Sequence, residues 1–261
     1  MTPTSHVEDF LGYPLTTQDL DALADEIVAG VRAPRPAKGQ WLACLNPHSY
    51  VMALDEAPFH AALHQARWLI PDGVGVVIGS RLLGGHIRAR VCGPDAFLAV
   101  SRRMNAGGPF KAMFIGATED TLGIVERRYR SDFPQASEVV TYSPPFRAQF
   151  SAEDIAAMRT LIERHQPDVL WMGLSAPKQE VLLAQLAQGG QFGFAAAIGA
   201  AFDFYAGKVV RSPMIFQRLG LEWLPRLLQQ PRRLWRRMFV SAPIFVGHVL
   251  ATRLRGARGP R

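Results

Sequence analysis

The sequence predicts an α/β protein built on a mainly parallel sheet with helices on both faces. Three observations carry that reading. Short apolar runs of strand length alternate with amphipathic stretches of helical period, and the apolar runs exit into small or polar residues. A chain of 261 residues with 48% hydrophobic and 20% charged side chains can also bury a sizeable core.

Taken in order, residues 20 to 31 (LDALADEIVAGV) have helical spacing, and Pro34 and Pro36 mark a linker. WLACLN (41 to 46) reads as a buried strand and its exit, SYVMALDEAPFHAALHQA as helical cover, and RWLIP as the next strand. KAMFIGAT (111 to 118) is a strand ending in small residues, and EDTLGIVERRYRSDFP is a helix stopped at Pro134. SEVVTYSPP is a further strand. The helix SAEDIAAMRTLIERHQ follows, with Ser151 at the N-cap and Asp154 three residues on, a capping box with Asp in place of Glu or Gln. PDVLWMGLSAP (167 to 177) and PKQEVLLAQLAQ form another strand and helix, and GFAAAIGAAFD (193 to 203) is the last strand-like run. In such sheets ligands bind beyond the carboxyl ends of the strands, where loops and helix N-termini meet. Asn46, Asp72, Gly116, Ser175 and Asp203 all follow expected strands, so they should converge on one crevice suited to a phosphate or diphosphate.

IPDGVGVVIG (70 to 79) places a single carboxylate, Asp72, among glycines. Its spacing is GxGxxxG, with Asp95 about 20 residues on where a dinucleotide-binding acid would be sought. Capping of a helix by Asp72, a sugar-hydroxyl contact, a catalytic base and a nicotinamide-dinucleotide site all stay open on this segment alone. RVCGPDAF (90 to 97) offers Arg90 to neutralise a diphosphate, with Asp95 read as a helix-start acid. LSAPKQE (174 to 180) puts a small-residue loop before Lys178, Gln179 and Glu180, so that backbone donors can face an anion and an amide a hydroxyl. The alternative is an ordinary polar helix start.

Several classes are excluded. No GxSxG elbow, HExxH pair or Walker A loop occurs, and the acidic triplet Asp19-Leu20-Asp21 falls inside the first expected helix. Cys44 and Cys92 lack metal-ligand spacing and read as reduced structural thiols. His48 is the one histidine near the expected crevice. Neither a metal nor a cofactor is expected.

Charge is unevenly placed. From Lys208 onward there are 12 Lys or Arg and one acid, a net +11, so the first 207 residues carry −4 of the overall +7. Residues 238 to 251 are apolar but shorter than the roughly 20 needed to span a bilayer, and Pro243 interrupts them. Arginines beside Trp235, Phe239 and Phe245 suit an anionic membrane surface more than nucleic acid. An apolar tail can also pack on a second copy, so a homo-oligomer stays open. The N-terminal residues lack a leader pattern, which points to a cytoplasmic chain docked peripherally on the inner face of the membrane.

These pieces in this order resemble the WecG/TagA/CpsF family of bacterial glycosyltransferases: LNPHS, PDGVGVV with RLLGG, RVCGPD, MFIGAT, GLSAPKQE, IGAAFDFYAGKVVRSP and LGLEWLPRLLQQPRRLWRR, from about residue 40 to about 245. The resemblance implies a Rossmann-like fold and metal-independent, inverting transfer of a sugar from a UDP-sugar to a polyprenyl-diphosphate-linked sugar in exopolysaccharide or teichoic acid assembly. It puts the catalytic base on Asp72. It puts substrate contacts on Asn46, Gln179 and Glu180, with Cys44 where the family often has a threonine; Arg90 and the loop at Ser175 are candidates for the departing UDP, and Gly73 and Asp203 further candidate substrate contacts from their place at the crevice. It further implies a C-terminal appendage whose Arg211, Arg226, Arg232, Arg233 and Arg236 face the lipid diphosphate or the membrane. The expected organisation is an N-terminal helical segment and linker (1–36), a catalytic core (37–207) and a basic helical appendage (208–261). A body poor in arginine favours a neutral hexose as the sugar moved. The competing readings are a membrane-associated nucleotide-binding module without catalysis, and an NAD(P) oxidoreductase.

Overall fold

The structure, a computed structural model, describes residues 6–189, 191–210, 212, 216 and 235–257. Its strands are β1 (Val7–Phe10), β2 (Tyr13–Thr16), β3 (Gln40–Leu45), β4 (Trp68–Pro71), β5 (Phe110–Gly116), β6 (Ala136–Tyr142), β7 (Val169–Gly173) and β8 (Phe194–Ala197). They form one sheet in the order β1-β2-β4-β3-β8-β7-β5-β6. All neighbours are parallel except the β1–β2 pair. The helices described are α1 (Leu20–Arg32), α2 (Pro47–Asp55), α3 (Ala57–Gln65), α4 (Val74–Leu82), α5 (Gly93–Ala106), α6 (Glu119–Asp132), α7 (Ala152–His165), α8 (Lys178–Leu186), α9 (Ala201–Tyr205) and α10 (Ala242–Ala257).

The mainly parallel α/β sheet follows from how its strands are buried. Successive residues of a strand point to opposite faces, so strands covered on both sides read as unbroken apolar runs. In β7, Val169 and Trp171 enter one core cluster while Leu170 and Met172 enter the other. One cluster lies under α2, α3, α8 and α10, and the other holds Phe97, Phe114, Tyr129 and Phe202 with the buried stripe of α1.

Local chemistry sets the helix starts. Asp19 caps α1 by accepting from the Ala22 amide, which accounts for the first member of the acidic triplet; Asp21 pairs with Arg103 at 2.7 Å. Ser151 and Asp154 form the expected capping box on α7.

Three elements differ from the sequence reading. The segment before residue 37 carries a hairpin as well as a helix. Its turn uses two positive φ angles, 52° at Leu11 and 87° at Gly12, and Leu15 of β2 pairs with Leu69 of β4, so the hairpin extends the same sheet. The helical cover after β3 is two helices, because the chain leaves helical geometry at Glu56 and restarts at Ala57-Pro58. The last apolar run is half strand and half helix, broken at Gly199, whose φ is +56°.

The α10 helix is no loose tail. Its Phe245 and Val249 are buried in the core beside Phe10 and Tyr50. Among the described residues no helix is long and apolar enough to cross a membrane.

Candidate functional site

The strands β3, β4, β7 and β8 deliver their carboxyl ends to one cavity of about 400 Å³. Asn46 leaves β3 and becomes the N-cap of α2, accepting the amides of His48 and Ser49 through Oδ1. That orientation turns its Nδ2 toward Asp72, where it donates to Oδ2 at 3.4 Å. Asp72 itself extends the β3–β4 ladder by donating its amide to the Leu45 carbonyl at 2.8 Å. Its carboxylate is therefore half-buried, fixed in height and placed on the cavity wall.

Capping is not its task. The N-cap of α4 is Gly73, at φ +95°, and among the described residues no side-chain cap hydrogen bond is made there. The other glycines of the segment answer to packing: a Cβ on Gly75 would sit 2.9 Å from the Pro47 ring, and one on Gly79 2.9 Å from the Phe10 ring. They bring α4 against α2 and the hairpin, a need met without any dinucleotide.

Around Asp72 the cavity gathers the N-terminal ends of α2, α4 and α5, with Pro47, Val74 and Pro94 in its lining. Free amides and positive dipole ends at such termini favour an anion. Arg90 lines the same wall, carried there because the following amide, that of Val91, donates to the Pro71 carbonyl at 3.0 Å. On the opposite side lie Leu174, Ser175, Ala176 and Gln179 from the β7–α8 turn, and Ile198 to Ala201 from the β8–α9 turn. Gln179 joins these two turns, its Oε1 accepting the Gly199 amide at 3.1 Å. Cys44 occupies the floor, where burial pushes its thiol well up from the ordinary range and Asp72 adds to the shift.

The last wall comes from beyond residue 235. A π-helical turn, Arg237–Ser241, leads into α10, and Arg237, Met238 and Ala242 line the cavity. His48 anchors this wall, its Nδ1 2.9 Å from the Ser241 hydroxyl. Burial, with Arg237 and Arg236 nearby, lowers the His48 pKa to about 4.

Of the residues expected from sequence, Asp72, Asn46, Gly73, Arg90, Ser175 and Gln179 line the cavity, as does the pocket candidate His48. Three expected residues do not. Glu180 is buried behind Gln179 because it points into the α8 core, 2% exposed. Asp203 lies past the turn on α9, where its backbone carbonyl accepts the amides of Lys208 and Val209. Gly116 serves close strand approach instead: a Cβ there would meet the Gly173 carbonyl at 2.5 Å. Arg236 is exposed at the start of the π-helical turn, whereas Arg211, Arg226, Arg232 and Arg233 lie outside the described residues. Sequence reasoning missed Arg237. The run RRLWRRMF holds both arginines, but only the phase of the π-helical turn turns the second one inward. Among the described residues no group of three or more His, Cys, Asp or Glu is placed to hold a metal ion.

Among the described residues, a parallel α/β sheet gathers the Asp72 carboxylate, the Arg90 and Arg237 side chains and several helix N-termini around this cavity, an arrangement that suits an anionic, hydroxyl-bearing ligand. The model of the glycosyl transferase WecG/TagA/CpsF family matches residues 8–259, and the chain belongs to that family. It is 31% identical over 213 residues to an N-acetylglucosaminyldiphosphoundecaprenol N-acetyl-beta-D-mannosaminyltransferase of Bacillus spizizenii, covering 82% of this chain and 79% of that protein. It is 29% identical over 216 residues to a Bacillus subtilis protein of the same name, covering 81% and 79%.

Proposed function

We propose that this glycosyltransferase moves a neutral sugar from a UDP-linked donor to a polyprenyl-diphosphate-linked acceptor sugar, inverting the anomeric centre, in the assembly of a cell-surface polysaccharide. The names of its relatives support N-acetylglucosaminyl-diphosphoundecaprenol as acceptor and an N-acetylmannosaminyl donor as the first pair to try.

The observation that carries this reading is the Asp72 carboxylate held by Asn46 in a cavity otherwise furnished for an anion. In the reaction the acceptor hydroxyl gives its proton to Asp72 as its oxygen bonds to the anomeric carbon. The bond from that carbon to the diphosphate oxygen breaks in the same step, and UDP leaves from the opposite face, which inverts the centre. Negative charge builds on the departing diphosphate, and among the described residues Arg90, Arg237 and the helix N-termini at the cavity stabilise it without a metal.

Docking on the cytoplasmic leaflet supplies the acceptor. Phe239, Ile244, Val246, Leu250 and Leu254 are exposed along the π-helical turn and α10, beside the cavity wall made by Arg237, Met238 and Ala242. Such a stripe with flanking arginines suits the boundary between acyl chains and anionic headgroups.

The test is Asp72→Asn. It should cut transfer by about a hundredfold or more while UDP still binds. Undiminished transfer to the lipid-linked acceptor rules out the base, and binding of NADH in preference to UDP would return the chain to the oxidoreductase reading.

A further inference from the structure

Glu180 follows Gln179 at the start of α8 yet stands outside the cavity, and its surroundings are unusual for an acid. The side chain is 2% exposed. Its Oε1 accepts the Gln179 Nε2 amide at 2.8 Å, and its Oε2 is buried with no hydrogen-bond partner. Gln179 is itself 5% exposed, and its Oε1 can only be an acceptor toward the Gly199 amide it meets at 3.1 Å. The amide plane of Gln179 is thereby set at both ends, with one end on the backbone of the β8–α9 turn and the other on Glu180. Gly199 needs this hold because it sits in a left-handed conformation on the cavity rim, with no side chain of its own to anchor it.

We propose that Glu180 is a positioning residue: by accepting the Gln179 amide from inside the core, it fixes the clamp that holds the β8–α9 turn against the cavity. It acts as the neutral acid, because an ionised carboxylate with one oxygen buried and without a hydrogen-bond partner would carry a large desolvation cost. Burial moves its pKa up to about 7, against an ordinary 4.5, while the Gln179 bond and its own backbone amide offset part of that rise. Among the described residues, the titratable groups coupled to it are the Cys44 thiol on β3, whose own pKa is raised in part by Glu180, and beyond the thiol Asp72 at the end of β4. Neutrality matters for the proposed reaction, on which this part of the inference rests. A second buried negative charge near Asp72 would oppose a diphosphate in the cavity.

Four measurements on the full chain test the assignment. The first three need no activity. Carbon NMR or infrared difference spectra between wild type and Glu180→Gln should show a carboxyl titrating near neutral pH, and should overturn the proposal if it titrates in the ordinary carboxylate range. The native carboxyl holds its proton more tightly than the unfolded one. Wild-type stability should therefore fall relative to Glu180→Gln as pH rises from about 4.5 through about 7. Parallel stability curves overturn the neutral state. Hydrogen exchange at the Gly199 amide should quicken in Glu180→Leu and not in Glu180→Gln, which keeps an acceptor for the Gln179 amide; equal exchange in all three overturns the clamp. With UDP-sugar as probe, the donor KM should rise several-fold across the same pH range in wild type and stay flat in Glu180→Gln, with kcat moving less. A wild-type pH profile retained in Glu180→Gln overturns the electrostatic role. Loss of all turnover in wild type with the first three results intact would fall on the proposed reaction and leave the clamp standing.

Discussion

Asn46 holds Asp72 across two strand ends: the same amide side chain that caps α2 with its oxygen donates its nitrogen to the Asp72 carboxylate at 3.4 Å. Cap and carboxylate are therefore coupled. Asn46→Asp keeps an oxygen for the cap but sets a second negative charge against Asp72. It should fold near normally and lose transfer by about tenfold or more. Asn46→Ala should lose about 1 kcal/mol of stability as well, measurable by urea unfolding.

The two neighbouring arginines of the π-helical turn should separate cleanly. Arg237 lines the cavity and Arg236 is exposed. Arg237→Ala should lower kcat/KM for transfer by about tenfold to a hundredfold, as expected for removing one charged donor from a leaving diphosphate. Arg236→Ala should chiefly weaken binding to anionic vesicles. Equal effects of the two on transfer with a short-chain acceptor would show that the phase of the turn does not matter.

Acid should loosen the last wall first. The His48 pKa is lowered to about 4 from 6.5, so the unfolded chain binds the proton more readily than the folded one. Its contribution to stability is present above about pH 6.5 and is lost as pH falls toward 4, by about 2 kcal/mol at most for a partly exposed ring. His48→Asn should flatten that part of the stability curve measured by thermal unfolding between pH 7 and 4.5.

Charge placed on the outer stripe tests docking without disturbing the core. Because Phe245 and Val249 are buried, cutting the chain near residue 208 would open a core face, which confuses docking with stability. Phe239→Glu with Leu250→Glu should keep the unfolding temperature within a few degrees and abolish flotation with vesicles rich in anionic lipid. A change in oligomeric state with flotation intact would make the stripe a contact between copies.

The fold was legible where burial writes a continuous pattern. Runs such as VLWMG and KAMFIG are apolar because both faces are covered, and Ser151 with Asp154 announces a helix start through chemistry local to four residues. The hairpin was not legible: VEDF and YPLT are four residues each and carry polar side chains at a sheet edge, so only pairing with β4 identifies them. Likewise Asn46, Asp72 and Ser175 could be placed because each follows a strand closely, while Arg90 comes after α4 and Gln179 lies on the first turn of α8, each singled out by its charge or amide within a short motif. Asp203 and Glu180 could not, since one extra turn or one step along a helix redirects a side chain by about 100°. Arg237 depended on a π-helical turn that no residue spacing encodes.

The strand order has a further consequence for how the chain folds. β8 lies between β3 and β7, so Phe194 aligns with Gln40 on one side and with Val169 on the other. Until residues 194 to 197 are made and inserted, β3 and β7 each present an open edge of unpaired amides and carbonyls bordered by apolar side chains. The halves of the sheet cannot close as independent units. Collapse must wait for a contact more than 150 residues distant in sequence, from Gln40 to Phe194, which predisposes the chain to slow folding and to transient pairing with other open edges.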